Sequence, residues 1–338
     1  MKNKINLFGF IALAVIISLL TIGCPEEETA VTSVTITPST ASVAKGANLS
    51  FSAKVTGTKN PDQTVTWSID EASKKATTIN SSGSLTVAAD ETLKSLTVRA
   101  TSTFDTSKSG TATVAVLESF TSNIRKTVNG YDIELWKQTA SKGTVSMILG
   151  VDGGTFKCSW SDIDNVLFRS GKKFSPSKPH SEIGDISVEY DAPVFRFTGD
   201  VGYLSVYGWV TDGSPDALIE YYIVESLGRY NPGNNGTNKG TVTIDGGTYT
   251  IYVTDRINQP SIQGTKTFKQ YWSIRNSKRT SGTISVSKHF EAWADKGLVS
   301  ISNGKLYEAA LKVEGYQNSG SAEITKNILS INGVPINK

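Results

Sequence analysis

Cysteine, histidine and net charge are all scarce in this chain of 338 residues, and each scarcity closes off a class of function. The cysteines are Cys24 and Cys158. A chain processed ahead of Cys24 has no internal framework of disulfides to rely on, so its core must hold it. Cys158 reads as a small buried residue. His180, in a proline-rich loop, has no metal-ligand partners at a matching spacing. A formal charge of +3, from 34 basic and 31 acidic residues, gives no field suited to nucleic acid or a polybasic membrane surface. The glycine-rich stretch 231–236 lacks a following Lys-Ser/Thr helix, so it is a loop and not a phosphate cradle. Internal repeats and low-complexity tracts are absent. No metal or organic cofactor is implied, and the chain is expected to act as a monomer.

What is present begins with Lys2 and Lys4, an apolar run over 5–22, Gly23, Cys24 and then an acidic PEEE. This is the pattern of a secretory signal. About 18 apolar residues could also nearly span a bilayer as an uncleaved anchor. A cysteine directly after a small residue resembles a bacterial lipoprotein processing site, with Thr21 where leucine is usual and Leu20 one step earlier. That resemblance implies removal of 1–23, acylation of Cys24 so that membrane lipid is a partner, and an acidic tether over 24–30. The product would be exported and lipid-anchored, at the cell envelope or outside it.

Composition breaks near residue 120. All twelve tyrosines lie between Tyr131 and Tyr316, with five of the six tryptophans. Residues 31–117 are instead rich in Thr, Ser, Val and Ala, with period-two runs at 31–36, 49–55, 64–69, 96–101 and 111–116. Such runs between Gly, Pro, Asn and Asp predict short strands and a small sandwich. The patterns TSVTITPSTASVAKGANLSFSAKV and TVTWSID resemble bacterial immunoglobulin-like domains. By that resemblance 31–118 is a spacer, with Trp67 as its core aromatic.

In 119–332 the alternating runs are longer and more aromatic, about thirteen of them, linked by turns such as Asp152-Gly153-Gly154 and Asp245-Gly246-Gly247. Residues 286–297 differ, since Val286, Phe290, Trp293 and Ala294 fall at helical spacing, with Ser287 as a possible N-cap and Gly297 as a stop. His289 and Trp293 then belong to packing. An all-β unit of two packed sheets, covered by one short amphipathic helix, is expected.

Two carboxylates stand out. In LIEYYIVES, alternation puts Leu218, Glu220, Tyr222 and Val224 on one face and Ile219, Tyr221 and Ile223 on the other. Glu220 thus sits among apolar and aromatic neighbours. It is either a solvent-facing residue of an edge strand or a paired, functional one. Glu225 falls on the opposite face, which favours a surface or hydrogen-bonding role. In ALKVEGY, Glu314 and Tyr316 share a face with Gly315 between them, and a strand glycine allows close approach. Two strand carboxylates among tyrosines suit acid/base work on a sugar, because neighbouring like charges separate their proton affinities and tyrosines offer flat faces and donors.

The blocks YLSVYGW, LIEYYIVES, DRINQPSIQGTKTFKQYWSIR, HFEAW and VEGYQNSGSAEIT resemble the family 11 glycoside hydrolases, small jelly-roll xylanases, over about residues 125–331. The resemblance implies a β-jelly-roll of two packed, strongly curved antiparallel sheets, and an endo-1,4-β-xylanase that retains configuration on internal bonds of xylan. It makes Glu220 the nucleophile and Glu314 the general acid/base. It makes Tyr207 and Tyr222 hydrogen-bonding partners around the nucleophile, Arg256 and Gln270 cleft residues, and Tyr316 a substrate contact. Pro260, Ser261 and Ile262 would be the tip of a mobile thumb, and Trp136 a stacking platform for a distal xylose.

Double displacement expects carboxyl groups roughly 5–5.5 Å apart, with Glu220 attacking the anomeric carbon while Glu314 protonates the leaving oxygen. Water activated by Glu314 then releases the sugar. The acid/base must recover its proton each cycle, which calls for a carboxyl that keeps it. The resembled family commonly holds Asn or Asp beside the acid/base, five residues after the tryptophan of the second early strand; counting from Trp160 reaches Asn165, so the resemblance implies a near-neutral optimum, and an optimum below about pH 4 would defeat this. Asp162 and Asp164 lie within a one-residue slip. Two departures limit the transfer. Tyr307 stands seven residues before Glu314, with Glu308 at six, so a β-bulge is needed to bring Tyr307 to the site face. The turn Asp212-Gly213-Ser214-Pro215-Asp216 is also long. A carbohydrate-binding module without cleavage, and an enzyme acting on a cellulose-like chain, are the alternatives.

Overall fold

The computed structural model describes residues 28–71, 76–211, 217–298 and 304–338. The leader 1–23, Cys24 and the Asp212–Asp216 turn lie outside the described residues. Residues 30–117 form three small sheets. Ala30–Thr37 pairs with Ser52–Thr58, and Thr40–Ala44, Ser109–Leu117, Ser95–Ser102 and Val65–Ile69 form the largest sheet in that order. Inward residues, among them Val34, Val55, Leu85, Leu96, Val98 and Val114, close one core. Trp67 packs against it, with its ring 6.4 Å from that of Phe51.

The larger unit is built on seven strands: β1 (Tyr131–Lys137), β2 (Phe156–Pro179), β3 (Val201–Thr211), β4 (Leu218–Leu227), β5 (Gly247–Ser261), β6 (Gly264–Arg275) and β7 (Lys305–Ile324). Their spatial order is β1-β2-β7-β3-β4-β6-β5, within a sheet of twelve strands. A separate four-stranded sheet holds Ser281–Ser285, Ile186–Asp191, Lys326–Ile331 and Val334–Pro335.

This overturns the expected pair of strongly curved antiparallel sheets. The larger sheet is not closed, and β4 pairs with β6 in parallel. The reason lies in two strands that outrun their local patterns. β2 runs for 24 residues and β7 for 20, and each pairs with different partners along its length, so they join what would be separate sheets into one. β7 continues to Ile324, and Lys326–Ile331 starts afresh in the other sheet.

One face of the twelve-stranded sheet packs its apolar side chains, among them Val206, Tyr221, Ile223 and Leu311, against Ile186, Val188 and Tyr190 of the smaller sheet. The helix α2 (Val286–Asp295), which follows a short α1 (His180–Ile183), seals this core with Val286, Phe290 and Trp293. The indole of Trp293 donates to the Ser273 hydroxyl at 2.8 Å. Among the described residues two α-helices therefore stand where a single one was expected.

The N-cap of α2 is Ser285, not Ser287. Asp245, in the turn Asp245-Gly246-Gly247, accepts from both the amide and the hydroxyl of Ser285 at 2.6 and 2.7 Å, tying down the residue that precedes the helix. Ser287 is the second residue of the helix, and its hydroxyl is shared between the ring of His180 and the amide of Ile186. Gly297, at φ +73°, follows the last turn in the left-handed conformation that ends helices. Cys158 is buried in the core.

Candidate active site

The site grows from the alternation of β4. Ile219, Tyr221 and Ile223 enter the main core, which turns Glu220 and Tyr222 to the other face of the same strand. There Tyr203, Tyr207, Trp209, Tyr222, Phe268 and Trp272 form a second aromatic cluster. Trp272 stacks on Tyr222 with centroids 4.0 Å apart and planes 16° from parallel. Two further rings, Tyr203 and Tyr207, meet Tyr222 edge-on, so its phenol has little freedom.

Glu220 sits opposite Trp209 on β3 and Gln270 on β6. It is only 8% exposed. Its Oε1 accepts from the hydroxyls of Tyr207 at 2.8 Å and Tyr222 at 3.2 Å, and its Oε2 accepts from Nε2 of Gln270 at 2.6 Å. Trp209 donates in turn to the Tyr207 oxygen at 2.7 Å. Three donors on one carboxylate lock its direction and repay part of its desolvation. Burial still pushes the Glu220 carboxyl above the ordinary range, aided by the nearby Glu314, while Gln270, Lys312 and Tyr207 pull it back.

Glu314 lies on β7, opposite Tyr203 of β3 and Leu167 of β2. It faces the same side of the sheet as Glu220, with β3 between the two strands. Its Oε2 receives Nζ of Lys312, two residues earlier on the same face, at 2.5 Å. Beneath lies an ionic layer. Arg169 on β2 pairs with Glu134 at 2.6 Å and Glu308 at 3.2 Å, its guanidinium 5.1 Å from the Tyr207 ring centroid. Glu134 also binds Lys173 at 2.7 Å. Burial pushes Glu134 up, but Arg169 and Lys173 outweigh it and hold the carboxyl at about 2.

The remaining expected residues fall as follows. Gln270 joins Glu220 directly. Asn165 is paired with Tyr316, diagonal to Glu314, and Trp136 is paired with Leu167, one strand beyond. Trp136 also lines a surface concavity with Asn123, Ile124 and Arg125. Arg256 is exposed, opposite Phe268, and donates to Gln259 at 3.3 Å rather than reaching Glu220. Pro260 and Ser261 end β5 in the hairpin with β6, and Ile262 at its tip is 44% exposed. The neighbouring Gln263 donates to the Tyr307 hydroxyl at 3.4 Å, so the hairpin tip reaches β7 across the site. The β3–β7 register slips by one residue between Leu306 and Ala310, and Tyr307 packs on the aromatic cluster. Tyr316 is 40% exposed at the rim.

Gly315 is not open to a ligand. A methyl group there would meet Nε1 of Trp160 at 2.4 Å, so the close approach serves the Trp160 indole from the core side. Glu225, expected at a surface or in hydrogen bonds, is fully buried and bonds Tyr190, Tyr249 and Arg279. Sequence reading missed Lys312, Tyr203 and Trp272. The same alternation that paired Glu314 with Tyr316 puts Lys312 on that face, and Trp272 follows Gln270 by two.

A sheet face presenting two carboxylates from separate strands, one of them fixed by tyrosine and amide donors, defines a protein equipped for acid/base work on a polar substrate. Residues 128–325 match glycosyl hydrolases family 11, and residues 30–114 match the bacterial Ig-like domain (group 2). The chain belongs to glycosyl hydrolases family 11, preceded by an Ig-like domain. It is 54% identical over 209 residues to endo-1,4-beta-xylanase A of Thermoclostridium stercorarium, covering 62% of this chain and 30% of that protein. It is 50% identical over 221 residues to endo-1,4-beta-xylanase A of Bacillus pumilus, covering 65% of this chain and 90% of that one. The chain spans 34% of another relative, the bifunctional xylanase/deacetylase of Pseudobutyrivibrio xylanivorans. The solved family 11 xylanase from Neocallimastix patriciarum aligns with a TM-score of 0.57 and 36% identity, over 63% of this chain and 99% of that one.

Proposed function

We propose that the chain is an endo-1,4-β-xylanase that cleaves internal xylan bonds with retention. The observation that carries this reading is the common face of Glu220 and Glu314, with Glu220 held by Tyr207, Tyr222 and Gln270. A carboxylate aimed by three donors is suited to attack on an anomeric carbon, and the second carboxyl, across β3, is suited to protonate the leaving oxygen and then to activate water. The names borne by the relatives support xylan as substrate. Trp136, Tyr316, Tyr307, Arg256 and the Pro260-Ser261-Ile262 tip are assigned to sugar contacts along the site face, and Asn165 to tuning the acid/base.

The domain reading divides the chain into a signal at 1–23, a tether at 24–30, an immunoglobulin-like spacer at 31–118 and the hydrolase at 119–332. Acylation of Cys24 and placement at the envelope follow from the leader pattern alone, and mass spectrometry of the membrane fraction tests them.

Incubation with xylan and with carboxymethyl-cellulose, followed by analysis of released oligosaccharides, tests the activity. Products from xylan are expected. Products from cellulose alone would overturn the substrate, and none from either would leave a binding module. Glu220→Gln is expected to remove turnover and leave the fold intact.

A further inference from the structure

Lys312 is completely buried, yet its amine is placed among the site's charges. Nζ lies 2.5 Å from Oε2 of Glu314, 4.0 Å from the Tyr222 ring centroid and 4.2 Å from that of Tyr207. The two rings that donate to Glu220 thus also sandwich the cation that binds Glu314. A buried ammonium is expensive unless it is paired, and here one carboxylate and two aromatic faces do the pairing. Packing alone does not call for an amine at this position, since a methionine or leucine would fill the same volume without desolvating a charge.

We propose that Lys312 is a positioning residue of the hydrolytic site, a fixed cation that orients Glu314, balances the two carboxylates and sets the pH range of turnover. The proposal rests on the reading of Glu220 as nucleophile and Glu314 as acid/base. The charged and titratable groups facing Lys312 are Glu314 on its own strand, Glu220 and Tyr222 from β4, Tyr203 and Tyr207 from β3, and Arg169 from β2. The charge of Arg169 is already met by Glu134 and Glu308, which leaves Lys312 as the cation shared by the site carboxylates among the described residues. Burial pushes the Lys312 amine down, and Glu314 and Glu220 push it back up. Glu220 in turn is held lower than its burial alone would set it, partly by Lys312.

An adjacent ammonium favours the ionised form of a carboxylate. It makes the Glu220 nucleophile easier to ionise, so the acid limb of the activity profile lies lower than it would without the cation. The test is the pH profile of kcat/KM on xylan for the full chain and for Lys312→Met. The acid limb is expected to move up by about one pH unit or more in the variant. A folded variant whose profile overlays that of the parent would overturn the proposal, even if its KM changed. Should the variant fail to fold, the nitrogen chemical shift of the Lys312 side chain in the unaltered protein decides, with Glu314→Gln used for assignment. An ammonium signal at pH 7 that is altered by Glu314→Gln supports the proposal, and a neutral amine overturns it. The nitrogen measurement does not depend on turnover, so a protein inactive on xylan would sink the hydrolase reading while leaving the ion pair open to test.

Discussion

Mild acid should draw stability from the hydrolase domain through the buried side chain of His289. This residue sits on α2 within the core, fully buried, with its ring edge-on to Tyr249 at 4.6 Å. Neither ring nitrogen finds a hydrogen-bond partner among the described residues. Burial, with Arg279 and Arg275 nearby, holds its proton affinity down to about 3 against an ordinary 6.5. Because the folded value is depressed for a base, the unfolded chain binds the extra proton between these limits, and stability falls as pH drops from 6.5 toward 3.

The slope is about 1.4 kcal/mol per pH unit, giving a loss of about 3 kcal/mol by pH 4.5 and about 5 kcal/mol at the limit. Glu134 has the opposite type of shift, from 4.5 to about 2, so its contribution is intact above pH 4.5 and lost only below it. The window from 6.5 to 4.5 therefore separates the two. Glu220 and Glu308, pushed up by burial, gain relative stability on acidification, and His180 is lowered like His289. The informative quantity is thus the difference between the parent and His289→Met. Urea unfolding followed by tryptophan fluorescence, which reports mainly on this domain because five of six tryptophans lie in it, should show the parent losing about 3 kcal/mol more than the variant between pH 7 and 4.5. Parallel pH curves for the two proteins would refute the reasoning.

Three other outcomes are expected. Tyr207→Phe deletes a donor to Glu220 and the acceptor of Trp209, and should lower kcat/KM on xylan about tenfold to a hundredfold, whereas an unchanged value would remove Tyr207 from the aiming of Glu220. Arg169→Met leaves Glu134 and Glu308 facing each other without their shared cation, and should cost about 3–5 kcal/mol in urea unfolding; a loss under about 1 kcal/mol would show that the layer relaxes freely. Burial pushes the Cys158 thiol far up, so in a Cys24→Ser chain a thiol reagent should find nothing to modify until denaturant is added; rapid labelling of the native protein would contradict its buried placement.

The site was more legible in the sequence than the fold that carries it. Alternation in LIEYYIVES was enough to separate Glu220 and Tyr222 from Tyr221, because a strand's two faces are a local property. Which strand lies beside which is not local. Nothing in residues 161–179, with their Ser, Gly, Lys and Pro, announces that β2 continues to Pro179, and that continuation merges the sheets. Ser287 looked like the helix cap because it is a good capping residue near the right place. The helix instead follows Ser285, which Asp245 holds from 40 residues away. Lys312 escaped notice for a different reason: a lone lysine in a strand suggests solvent until the rings of Tyr207 and Tyr222, from two other strands, are seen to enclose it.

The order in which β7 enters the sheet has a temporal consequence. Lys305–Ile324 is inserted between Phe156–Pro179 and Val201–Thr211, strands that leave the ribosome long before it. Until that late segment arrives, its two neighbours have no centre to zip onto, and the carboxylate, ammonium and phenol of one half of the site do not yet exist. The two carboxylates can thereby share one face only after that segment has been made and has paired with both neighbours.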